Sequence, residues 1–272
     1  MKKIVIHLLY FVLAIIAYII IKIIIEKYER YGFTHPSIEN TSITKIKEDF
    51  TFDEILFFTE VGLQDEANTI NVVKKFSDEK ITYKVFGTPT LDQLRFFNKS
   101  IKDLNSVLKY NKIVQYDNND SICNLRFYFI TEDEMKNYNP KMYWSAAFGY
   151  IHVNKIQKCV LKNVDVFIMI DKKDENGIKG VILQELTQSL GIFEDSERIN
   201  NTIFKDGFFL DSIYGPMDLA CVKILYNYGL KPGTKIEDFE SALNLTYDSI
   251  YMRTPKKIYN IFNQDRKIHN SR

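Results

Sequence analysis

An almost unbroken apolar run, I-V-I-H-L-L-Y-F-V-L-A-I-I-A-Y-I-I-I-K-I-I-I over residues 4–25, constrains this chain more than any other feature. At ~1.5 Å of rise per residue, a helix of that length crosses the ~30 Å hydrocarbon core of a bilayer. Only His7 and Lys22 interrupt it, and Lys22 lies near one end, where its stem can snorkel to the interface. A cleaved signal peptide is the competing reading. Against it, the residues after the run, Ile23 to Arg30, are bulky and charged, no A-x-A site ends it, and the first cysteine, Cys123, comes too late for lipidation. The run predicts an uncleaved signal anchor over residues 1–30, passing the cell membrane once. Lys2 and Lys3 on one side oppose Lys22, Lys27 and Arg30 on the other, with Glu26 and Glu29 diluting the latter group. Acidic residues count little in the positive-inside rule, so an N-in, extracytoplasmic-domain arrangement is only a preference.

Beyond the anchor, composition describes an ordinary folded domain. The 36 Lys+Arg and 35 Asp+Glu nearly cancel, which argues against a nucleic-acid partner recognised by charge. With 46% apolar and 14% aromatic residues there is ample material for one core. Cys123, Cys159 and Cys221 are odd in number and widely spaced, with no C-x-x-C, so they predict buried single thiols rather than a disulfide framework or zinc knuckle.

Residues 31–47 are polar and lack a sustained period, as in a stalk. From Asp49 on, Phe52, Ile55, Leu56, Thr59 and Leu63 recur at helical spacing, and Ala67, Ile70, Val72 and Val73 continue a second helical stripe to Phe76. Residues 80–87 and 124–131 are strand-like on either side of a helical stretch, 91–109, which outlines a βαβ unit. Residues 149–155 and 164–171 add two strands, giving a mixed sheet of about four, and Asp174 to Gly177 closes a turn. A helix with Ile178, Val181, Ile182, Leu186 and Leu190 on one face then stops near Gly191, and another spans 216–226. In that second helix Asp218 is placed to cap the start and Tyr226 to pack. The class is α+β, with the folded domain over 48–235 and a basic C-terminal extension over 236–272.

The segment L-Q-E-L-T-Q-S-L-G-I, 183–192, carries the one chemical signal. In the zinc-peptidase helix H-E-x-x-H, two histidines at i and i+4 share a helical face, the glutamate activates the zinc-bound water, and a third ligand arrives farther on. Here the ligand positions are Gln184 and Gln188, the glutamate survives as Glu185, the turning glycine of the longer motif survives as Gly191, and the third position falls on Glu194. Neutral amides are poor zinc ligands. Of the four histidines only His152, on a strand, is placed to approach the helix, so no metal or other cofactor is expected.

E-L-T-Q-S-L-G, followed by E-D-S at 194–196, I-F-x-D at 203–206, D-x-x-x-x-x-L-Y and L-K-P-G, resembles the bacterial domain-of-unknown-function family 2927, itself similar to degenerate zincins. F-F-T-E-V-G-L and the strand before G-T-P-T extend the match over roughly residues 50 to 235. The resemblance implies a zincin-like mixed sheet with a degenerate active-site helix and a C-terminal helix, a membrane or lipoprotein setting, and no established activity.

Two functions compete with a plain polar helix face. One is a non-catalytic cleft, formed by Gln184, Gln188, Glu194 and Asp195, that binds an extended peptide or envelope polymer along the edge strand. The other is a carboxylate-dependent hydrolase without zinc, with Glu185 as general acid or base and Glu194, Asp195 or Asp211 as its partner. Glu185, Glu194 and the amide oxygens of Gln184 or Gln188 also suit a hard cation, though calcium-loop spacing is absent.

Overall fold

A computed structural model describes residues 2–32, 37–63, 71–116, 123–140, 143, 147–196, 199, 201–205 and 213–244, with side chains from residue 11 onward. In chain order the elements are α1 (Lys2–Tyr31), α2 (Asn40–Asp49), α3 (Phe52–Val61), β1 (Lys80–Gly87), α4 (Leu91–Val107), β2 (Lys112–Gln115), β3 (Leu125–Ile130), α5 (Glu132–Tyr138), β4 (Gly149–Gln157), β5 (Val160–Met169), α6 (Glu175–Gln188), α7 (Pro216–Asn227) and α8 (Ile236–Leu243). The chain is a mixed α+β fold around one five-stranded sheet in the order β2-β1-β3-β5-β4. Four strands run parallel and β4 is an antiparallel edge.

Local chemistry explains most boundaries. Thr51, Thr90 and Thr131 each close a capping box with the Glu or Gln three residues on, which satisfies the orphan N–H groups that start α3, α4 and α5. L-R-F-Y-F-I in β3 alternates buried and half-buried positions, the period-2 signature of a strand with unlike faces. Its inward Leu125, Phe127 and Phe129 join Phe97 and Leu104 of α4 and the large buried apolar residues of α6 and α7 in the main core. On the opposite face, Met135 of α5 covers Phe167 and Met169, beside half-buried Tyr128 and Tyr150.

Several expectations change. The sheet has a fifth strand, the four-residue β2, too short to stand out in the sequence. Val72 to Lys75 is not helical: Val72 bridges Lys235, Lys75 bridges Val160, and the stripe's earlier members, 67 and 70, lie outside the described residues. Asp174 does not close a turn but caps α6, its carboxylate accepting the Gly177 N–H at 2.8 Å. The polar segment 31–47 contains most of α2, whose buried Ile43 and Ile46 join the core, so its polarity is that of one exposed helix face. Similarly, α8 buries Ile236, Phe239 and Leu243 within the stretch read as an extension. The three cysteines are buried and unbridged.

Among the described residues no helix is long and apolar enough to cross a membrane; side chains 4–10 of the apolar run lie outside them. The backbone of α1 is nevertheless helical for 30 residues, and from Phe11 to Ile25 its large apolar side chains are exposed on every side. Its last turn is bonded to the β4–β5 turn, where Lys158 and Cys159 both take left-handed conformations, φ 48° and 64°. Two successive left-handed residues suit a tight hairpin but cost about 1 kcal/mol or more each without glycine.

Candidate functional site

The central helix α6 is buried from Val181 to Gln188, although three of those residues are long and polar: Gln184 is 7%, Glu185 7% and Gln188 8% exposed. Its apolar side packs under the sheet and against α4. The polar side is completed by the chain that follows. Gly191 has φ +115°, and a Cβ there would lie 1.9 Å from the Lys74 carbonyl oxygen, so only glycine permits this turn. The reversal carries residues 192–195 back along the helix, and the Glu194 N–H donates to Val61 O at 3.2 Å.

Asp195 rather than Glu194 is the residue that reaches the two glutamines. Its Oδ1 accepts from Gln184 Nε2 at 2.8 Å and from Gln188 Nε2 at 2.7 Å. A carboxylate only accepts, so both amides must turn their nitrogens towards it. The two helix positions of the zinc-peptidase skeleton and the returning chain thus meet at one oxygen atom. Among the described residues no group of three or more His, Cys, Asp or Glu is gathered as for a metal ion.

Glu185 stands beside this cluster in a different state. Among the described residues no hydrogen bond reaches its carboxyl, and burial, helped by the negative charge of Asp195, pushes its pKa up to about 8. A neutral carboxylic acid can both donate and accept, which an ionised one cannot. Strand β4 starts directly on it: a Cβ on Gly149 would lie 2.4 Å from Glu185 Oε1. Only a residue without a side chain lets the edge strand come so close. Gly149, Ile151 and Val153 share the face turned to α6, and Ile151 and Val153 pack on the main core. His152 therefore lies on the opposite face, exposed and cross-strand from Asp165, which pairs with Arg126 at 3.0 Å. It does not approach the helix.

The other candidates separate clearly. Asp211 and the basic residues from Arg253 onward lie outside the described residues. Asp218 is structural: its carboxylate accepts from the Thr202 hydroxyl, from Ile203 N at 3.3 Å and from Gly215 N at 2.8 Å, the last as a helix cap. Tyr226 donates to Leu190 O at 2.7 Å and receives the Phe76 N–H at 3.3 Å, joining α7 to the end of α6 and to the extended segment. Gly149 is the contributor that motif reading missed, and the small residue opening a strand rich in bulky ones was its only signal.

No curated protein matches the chain. A family model does, over residues 47–244, well over half of the length; its description is protein of unknown function DUF2927. The matched span takes in both halves of the site, the helix with its returning loop and the edge strand, and the chain belongs to that family.

Proposed function

We propose that this chain is a membrane-anchored, zincin-like protein that binds an extended peptide or envelope polymer without catalysis. The observation that carries the reading is the closure of Gln184, Gln188 and Asp195 on one another, at the positions where a zinc-peptidase helix would bring its ligands. The cleft is retained and its metal chemistry is replaced by an internal hydrogen-bond cluster. Polymer binding runs along Gly149–Val153, the part of edge strand β4 nearest Glu185, by backbone pairing of the kind that adds a strand to a sheet. Register shifts between Val153 and Ile156 disturb the strand farther along and confine pairing to that segment. The protonated Glu185 supplies one hydrogen bond to a ligand carbonyl. The apolar run 4–25 serves as the anchor, with the domain that runs from α2 to α8 as the binding domain on the extracytoplasmic side.

A carboxylate-dependent hydrolase is the second reading, favoured by one observation: a glutamic acid raised to about 8 beside a second carboxylate. Incubating the full chain in detergent with a pool of random decapeptides distinguishes the two. Binding predicts slowed amide exchange at Gly149–Val153, no cleavage, and the same protection in Glu185→Gln, whose amide also donates a hydrogen bond. Cleavage that falls by about 10² to 10⁴ in Glu185→Gln would instead establish the hydrolase.

A further inference from the structure

The last turn of α1 does not hand over to a free tether. Lys158 N donates to Glu29 O at 2.9 Å and Cys159 N to Arg30 O at 2.8 Å, so the β4–β5 turn caps carbonyl groups left open at the helix end. Lys158 Nζ lies 5.8 Å over the Tyr28 ring. The turn is also held by the domain, since Lys75 N donates to Cys159 O at 3.3 Å and Leu161 N to Lys75 O at 2.9 Å. Helix end, hairpin and core form one bonded unit.

From this we infer that the β4–β5 turn is seated in the headgroup layer of an anionic lipid surface and holds the domain directly on the membrane. The inference rests on the reading of residues 4–25 as the anchor. Ile25 ends the apolar run and Glu29 follows four residues later, about 6 Å along the axis at ~1.5 Å per residue. Headgroup regions occupy roughly 5 to 8 Å on each side of the hydrocarbon. A turn bonded to Glu29 and Arg30 therefore lies at that depth. Its charge suits the partner: Lys27, Arg30, Lys155 and Lys158 are exposed there and Lys162 is half-buried, against Glu26 and Glu29. Such basic residues next to a span attract anionic lipid.

The seat also sets the reach of the cleft. Gly149 is nine residues from Lys158 along β4, at most about 30 Å at ~3.3 Å per residue. The ligand is then a polymer or peptide in the layer just above the membrane rather than a lipid headgroup.

The test uses the full chain reconstituted in vesicles of two parts phosphatidylcholine to one part phosphatidylglycerol, with a nitroxide on some choline headgroups. A fluorophore is attached in separate variants at Gln157→Cys, beside the turn, and at Asn176→Cys, on the first turn of α6; both residues are exposed and the natural thiols are buried. Expected is quenching roughly threefold stronger at position 157, reduced when Lys155 and Lys158 are both changed to Glu. Equal quenching at the two positions, weak or strong, in protein that stays in the carbonate-washed pellet would overturn the seat alone. Loss of the protein from that pellet would overturn the anchor reading and the seat with it.

Discussion

Two buried carboxylates on successive helices, Glu185 on α6 and Asp218 on α7, have met the cost of burial in opposite ways. Both are pushed towards the neutral form by desolvation. Around Asp218 that push is opposed by Thr202, Gly215 and Ile203, three donors from two chain segments that the carboxylate ties to its helix. Around Glu185 there is no such set among the described residues, and the negative charge of Asp195 adds to the push. A buried polar group that holds the fold together resembles the first; one kept for something other than folding resembles the second. The contrast separates architecture from site without reference to any known activity.

The comparison breaks most severely at Gly191. Gly191→Ala forces a left-handed alanine against the Lys74 carbonyl and should cost about 3 kcal/mol or more in denaturant unfolding, disrupting the Asp195 cluster while leaving the Asp218 cap intact. Next in size, Asp218→Ala strands three donors and should lose about 2 to 4 kcal/mol, whereas Glu185→Gln, compared at about pH 4 where Glu185 is protonated folded and unfolded, should stay within about 1 kcal/mol of the parent. Equal losses from the two substitutions would remove the distinction drawn above.

Much of this arrangement is legible from residue order alone, and the failures have physical causes. Alternation in β3 and β4 identifies both strands because it is set by local geometry; the Thr131-x-x-Glu134 cap is an equally local signal, but the seven-residue α5 that it starts is too short to read from periodicity. The stretch 72–75 reads as helical because a short apolar run fits either period, and distant bridges to Lys235 and Val160 decide it. The same limit applies to the site. The i, i+4 spacing brings Gln184 and Gln188 together, but counting three past Gly191 points to Glu194, and only the path of the loop delivers Asp195. His152 could have been set aside from sequence, since period 2 puts it on the other face from Gly149, Ile151 and Val153.

Smaller effects sharpen the account. Gly149→Ala pushes a methyl into the Glu185 carboxyl and should cost about 1 to 3 kcal/mol in the parent but much less in a Glu185→Ala background; a double-mutant cycle reads the coupling. The pH dependence is subtler. Because the folded pKa of Glu185, about 8, lies above its ordinary 4.5, the folded state holds a proton that the unfolded chain releases. Its contribution to stability is complete below about 4.5 and declines as pH rises, until it is lost above about 8. In that window the parent should lose up to about 1 kcal/mol per pH unit relative to Glu185→Gln, measured by urea unfolding at several pH values.

The central claim, that Gln184, Gln188 and Asp195 occupy the place of a metal site, is tested most directly by zinc titration of Gln184→His/Gln188→His, followed by metal analysis after gel filtration. Two imidazoles at i and i+4 with the Asp195 carboxylate make a three-ligand set of the catalytic type, and the account predicts one zinc per chain, lost when Asp195→Ala is added. A double variant that folds normally and retains no zinc would contradict it.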